Sequence, residues 1–62
     1  MLTKFFENEC VLAAVNLTDE VKAGDIGTVC QVYEDRTYLV DFDYKSSRII
    51  DVKEEDLLPY EG

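Results

Sequence analysis

Residues 37–44 read Thr-Tyr-Leu-Val-Asp-Phe-Asp-Tyr, and this run constrains the chain more than any other. Its alternation puts Tyr38, Val40, Phe42 and Tyr44 on one side and Leu39, Asp41 and Asp43 on the other. A period of two with one apolar face is the signature of a strand lying half-buried on a core. Just upstream, residues 28–34, Thr-Val-Cys-Gln-Val-Tyr-Glu, are rich in β-branched and aromatic types. The two runs predict a hairpin. Its turn, Glu34-Asp35-Arg36-Thr37, lacks the Asn-Gly or Asp-Gly pair of the tightest hairpins, so a longer or bulged connection is expected.

The remaining segments fit around that hairpin. Cys10 to Val15, running on to Asn16-Leu17, is an apolar run whose length suits a strand. Residues 18–27 form the longest polar stretch. Val21 and Ile26 are expected to pin it to the core, with Gly24 and Gly27 at its tight positions. Lys45-Ser46-Ser47 reads as a turn and residues 48–52 as a fourth strand. Residues 53–56, Lys-Glu-Glu-Asp, are too short for a stable helix and predict a 3-10 turn. Leu57 to Tyr60 closes the chain as a strand, and Pro59, which cannot donate to a ladder, places it at an edge. Phe5 and Phe6 lie in residues 1–9, read as either a short helical turn or an ordered arm over the core.

Four to five short strands with a 3-10 turn before the last describe an all-β small barrel, because closing the sheet lets few residues bury one face on itself. The chain has 62 residues, enough for one domain, residues 1–62. A chain of this size buries only about 60% of its unfolded surface. The expected core is Val11, Ala13, Val15, Ile26, Val29, Val32, Val40, Phe42, Ile49, Val52 and Leu57.

Composition then restricts function. Fourteen acids against 6 bases give a net charge of −8. Such a surface repels phosphate backbones and anionic membranes and attracts basic proteins. No apolar run approaches the roughly 20 residues of a membrane span, and the first residues lack a signal-peptide pattern, so a cytoplasmic location is expected. The chain contains 0 His, which removes the commonest general base and transition-metal ligand. Cys10 and Cys30 sit in apolar runs and are expected to be small buried hydrophobes; a bridge between them would require neighbouring strands.

Val21-Lys22-Ala23-Gly24-Asp25-Ile26-Gly27-Thr28-Val29, then Val32-Tyr33-Glu34-Asp35 and Tyr38-Leu39-Val40-Asp41-Phe42, resembles the KOW-type, SH3-like barrel pattern: a glycine-led loop, G-D-x-G-T-V, a strand, a turn, and a strand ending V-x-F. Within it, the chain is most similar to a family of short bacterial proteins of unknown function. The likeness covers about residues 11–60. Where that family has a hairpin glycine this chain has Arg36, and where it has L-R-P this chain has Leu57-Leu58-Pro59. The resemblance implies a small SH3-like barrel. It suggests roles as diverse as RNA- or ribosome-binding accessories, protein adaptors and partners of toxins.

The residues themselves favour binding over catalysis. Asp41 and Asp43 with Asp51 lack the dense ligand spacing of a calcium loop, so no metal site is expected. Glu54, Glu55 and Asp56 are adjacent residues that do not share a face, and no enclosing apolar wall is in view. The barrel is expected to be too small to enclose a pocket of about 300 Å³. No enzyme activity and no cofactor are expected. A partner-binding patch is expected from Tyr33, Tyr38, Asp41, Asp43, Tyr44, Glu54, Glu55, Asp56 and Tyr60, with acids steering the encounter and aromatics holding it. The leading expectation is an acidic module that binds and restrains a basic protein, of antitoxin or immunity type. The alternatives are a nucleic-acid mimic that blocks a DNA- or RNA-binding enzyme, and a KOW-like RNA or ribosome accessory.

Overall fold

The computed structural model describes residues 4–42 and 49–61. Five strands form one antiparallel sheet: β1 (Cys10–Ala13), β2 (Ile26–Val32), β3 (Thr37–Phe42), β4 (Ile49–Lys53) and β5 (Leu57–Pro59), with a 3-10 turn at Glu54–Asp56 between the last two. The order across the sheet is β4-β3-β2-β1-β5. No pairing joins β4 to β5 among the described residues, so the sheet is not closed. The expected turn at residues 45–47, the end of the third strand at Asp43 and Tyr44, and Arg48 lie outside the described residues.

Alternation sorts β3 as its sequence demands. Tyr38, Val40 and Phe42 are buried and Leu39 and Asp41 face outward. Their inward partners on β2 are Val32, Val29 and Gly27. Val29 and Val32 are three residues apart, a spacing that a regular strand sends to opposite faces. A bulge at Cys30 restores the match: Val29 pairs with Val40 and Gln31 with Leu39, leaving Cys30 as the extra residue. Gly27 is required for space. A Cβ there would stand 2.6 Å from Val40 Cγ1 and 2.8 Å from Phe42 Cδ1.

The hairpin between β2 and β3 is a three-residue loop, Glu34-Asp35-Arg36, closed by the Tyr33 N–H donating to the Thr37 carbonyl at 2.9 Å. Its last residue, Arg36, has a φ of 64°, the left-handed conformation usual for this loop type. That is the position of the hairpin glycine in the resembled pattern, and an arginine holds it against its steric preference.

Residues 14–25 are organised by their own polar groups. Thr18 Oγ1 accepts from the Glu20 and Val21 N–H groups, Asn16 Oδ1 from Ala23, and Asp25 Oδ2 from Lys22. Val21 is buried, as expected of a residue pinning the loop, and Leu17 packs against the core beside it. The N-terminal segment is an arm. Phe5 is buried, and the Asn8 N–H and Glu9 carbonyl bond to Val29 on β2.

Seven of the expected core residues are buried: Val11, Ala13, Val29, Val40, Phe42, Val52 and Leu57. Val32 packs against them half-buried. Val15, Ile26 and Ile49 are corrections, exposed at 45%, 49% and 38%. Val15 lies beyond the end of β1. Ile26 precedes the inward Gly27, so parity turns it outward. Ile49 pairs with the outward Asp41. Phe5 and Tyr38 fill the space instead. Cys10 and Cys30 are also corrections: both are free and exposed. Cys10 alternates out from the inward Val11, and Cys30 is the bulge residue.

Two substitutions test this packing. Gly27→Ala forces Val40 and Phe42 apart, and overpacking of this kind costs about 1–3 kcal/mol, read as a lower urea midpoint. Arg36→Gly relieves the left-handed backbone and is expected to raise the midpoint by about 1 kcal/mol equivalent.

Candidate functional site

The nine residues expected to form one patch are distributed over different parts of the fold. Tyr38 is a correction to the expected exposed aromatics, because it is fully buried. Its ring meets Phe5 edge-on, with centroids 5.5 Å apart and planes at 71°. Its hydroxyl donates to Glu54 Oε2 at 2.6 Å and accepts from the Lys4 and Phe5 N–H groups at 3.1 and 3.2 Å. The Lys4 N–H also reaches Glu54 Oε2 at 3.1 Å. Tyr38 and Glu54 therefore fasten the arm to β3 and to the 3-10 turn. Burial, then the Glu54 carboxylate, raise the Tyr38 pKa; donation from Tyr38, then from Lys4, lowers that of Glu54.

Glu55 and Asp56 continue the 3-10 turn, Glu55 exposed and Asp56 half-buried. The Asp56 carbonyl accepts from the Ala14 N–H at 2.8 Å, which ties the turn to the end of β1. Beside Glu54 and Glu55 lies an open depression of about 400 Å³, lined also by Lys4, Asp35, Arg36, Thr37 and Lys53. It exceeds the volume expected for so small a chain, yet it opens to solvent rather than being enclosed. Its three cations face three carboxylates, so it carries no net charge of its own.

The outward sheet face holds the other residues. Asp41 lies between Thr28 on β2 and Ile49 on β4. It is half-buried, and its Oδ1 is buried without a hydrogen-bond partner among the described residues. Asp51 faces outward one pair further along, opposite Leu39. Tyr33 is half-buried near it, and partial burial, then the carboxylates of Asp51 and Asp35, push the Tyr33 pKa up. Tyr60 follows β5 and is 40% exposed. Asp43 and Tyr44 lie outside the described residues.

Sequence reasoning missed a second outward feature. Leu12 on β1 pairs with Leu58 on β5 and with Ile26 on β2, so three aliphatic side chains stand side by side across three strands. Leu58 is 48% exposed and Ile26 49%, with Leu12 half-buried between them. Parity held the signal: Leu12 and Ile26 are each one residue from an inward position. Cys10 lies on the same face opposite Thr28, two residues from Cys30 along β2. The Cys30 thiol donates to the Thr28 carbonyl at 3.7 Å. Among the described residues no group of three or more His, Cys, Asp or Glu converges as a metal site, and no helix is long and apolar enough to cross a membrane.

No family model, curated protein or solved structure matches the chain.

The Tyr38–Glu54 contact makes a pH prediction. Glu54 has a lowered pKa when folded. Its contribution is present at neutral pH and is lost as pH falls through that value, which lies below the ordinary 4.5. Tyr38 has a raised pKa, so its contribution is present below the ordinary 10.0 and lost as pH rises through the folded value. Tyr38→Phe removes the hydroxyl that donates to Glu54 and accepts from the arm, and losing a hydrogen bond to a charged group costs about 1.5–3 kcal/mol. Urea melts across pH are expected to show a lower midpoint at neutral pH and a flatter acid limb in Tyr38→Phe than in the parent chain.

Proposed function

We propose that this chain is a non-catalytic interaction module for a basic protein, built on an SH3-like small barrel. The strand order β4-β3-β2-β1-β5, the bulged central β2 and the 3-10 turn before β5 support that barrel. One observation carries the functional reading. The chain carries 14 acids against 6 bases, a net charge of −8. Excess negative charge is therefore left to act on other molecules. A field of that sign speeds the approach of cationic proteins and slows that of nucleic acids. A partner held in check by such a module, as in antitoxin or immunity pairs, is the concrete form of this reading. A cytoplasmic setting suits it.

The test is capture on the tagged chain from lysate of the source cells, at low and high salt, with and without nuclease. One basic protein in stoichiometric amount, retained after nuclease, is expected. Its association rate should fall steeply as salt is raised, because attraction over more than about 8 Å is largely screened at physiological ionic strength. A salt-independent rate contradicts the steering. Displacement by added DNA or RNA would replace this reading with a nucleic-acid mimic. Ribosomal proteins lost on nuclease treatment would replace it with an RNA accessory.

A further inference from the structure

We infer that the basic partner docks on the outward sheet face, with aliphatic groups seated on the Leu58–Leu12–Ile26 row and an arginine or lysine placed against Asp41. This inference rests on the reading above and adds the surface to it.

The row is set by backbone register. Leu12 pairs directly with Leu58 and with Ile26, so the three side chains form one apolar strip across β5, β1 and β2. Leu58 and Ile26 are nearly half exposed, at 48% and 49%. Single exposed aliphatics are ordinary on protein surfaces, whereas exposed apolar groups that adjoin one another are a common part of contact sites. The next outward line runs from Cys10 through Thr28 and Asp41 to Ile49, itself 38% exposed. An apolar strip thus borders a line that carries a carboxylate.

Asp41 Oδ1 is buried and accepts no hydrogen bond from the described residues. A buried acceptor left unpaired is costly, and one bonded to a guanidinium or ammonium is among the stronger hydrogen bonds. The carboxylate torsion is soft, so the group can turn to meet a donor arriving over the sheet. Among outward positions on the five strands, Asp41 and Asp51 are acidic. Lys53, at the far end of β4, is the only cation at those described outward positions. Charge complementarity therefore selects a cationic occupant. A second copy of the chain would bring its own charge of −8 against the same face. A protein–protein interface takes about 800 Å² per partner, roughly a fifth of the 4192 Å² surface of this molecule. The apolar strip alone is a small part of that, which suits a strip held jointly with charge.

The depression beside the 3-10 turn is a weaker candidate. Lys4, Arg36 and Lys53 offset Asp35, Glu54 and Glu55 there, so it selects neither sign of ligand.

The probe is a short fluorescein-labelled peptide in which arginine and leucine alternate, with an arginine–serine peptide as its control. Binding is followed by anisotropy for the parent chain, the Ile26→Ser/Leu58→Ser double variant, Asp41→Asn and Glu34→Gln. The parent is expected to bind the arginine–leucine peptide more tightly than the control. The double variant should lose about tenfold or more, equivalent to 1.4 kcal/mol, without any change in charge. Asp41→Asn should lose more than Glu34→Gln, which removes one charge from the hairpin tip. The replaced aliphatics are half exposed, so folding is checked by urea melts of each variant.

Equal affinity for the two peptides, with equal losses in Asp41→Asn and Glu34→Gln, overturns this face and leaves the basic-partner reading standing. No binding of either cationic peptide by the parent overturns both. A parent chain that sediments as a dimer, and as a monomer once Ile26 and Leu58 are serine, overturns the inference by assigning the strip to a second copy.

Discussion

The hydroxyl of Tyr38 is the point on which this fold depends. Among the described residues the sheet is open between β4 and β5, so its inner face needs a cover from elsewhere in the chain. The arm supplies one, with Phe5 edge-on to the Tyr38 ring. A phenylalanine against a tyrosine gives area and a favourable quadrupole geometry. The hydroxyl adds direction: it accepts from two successive arm N–H groups and donates to Glu54. Three remote segments, the arm, β3 and the 3-10 turn, meet at one oxygen. In so small a chain, a fastening of this kind does work that a larger core would spread over many residues.

That arrangement decides where function can reside. The inward positions of β1 to β5, the arm's Phe5 and the loop's Val21 are all committed to the core. Tyr38 and Glu54 are committed to the arm. What remains among the described residues includes the outward sheet face, the loop surfaces and an open depression of balanced charge. Of these, the outward face alone joins contiguous aliphatics to an unpaired carboxylate oxygen. The negative field of the whole chain acts at longer range and has little influence on fold. In the proposed reading, steering and docking fall to different features of one surface.

Much of the fold was legible because β3 alternates without interruption. Four to five strands, the position of the 3-10 turn and the irregular hairpin follow from residue types and their spacing. Inward and outward assignment was less legible wherever alternation breaks. Val29 and Val32 share a face only through the bulge at Cys30, and a bulge has no residue signature in the run Thr-Val-Cys-Gln-Val. Gly27 looked like a loop glycine, but it lies inside β2 and is needed so that Val40 and Phe42 can approach. Fixing Gly27 inward turns Ile26 out, which accounts for both the missing core residue and the missed apolar row. Tyr38 was legible as inward by period, while its partners were not: Phe5 and Glu54 lie 33 and 16 residues away in the chain. The nine expected site residues were chosen for chemistry, and chemistry alone does not say which of them the topology brings together.

The most direct test of the account is an amide chemical-shift map of the isotope-labelled protein during titration with its captured basic partner. The account predicts that the largest shifts fall on Leu12, Ile26, Thr28, Asp41, Ile49 and Leu58, with Tyr38 and Phe5 little changed. Shifts confined to the hairpin tip and the 3-10 turn, around Arg36 and Glu55, would contradict it.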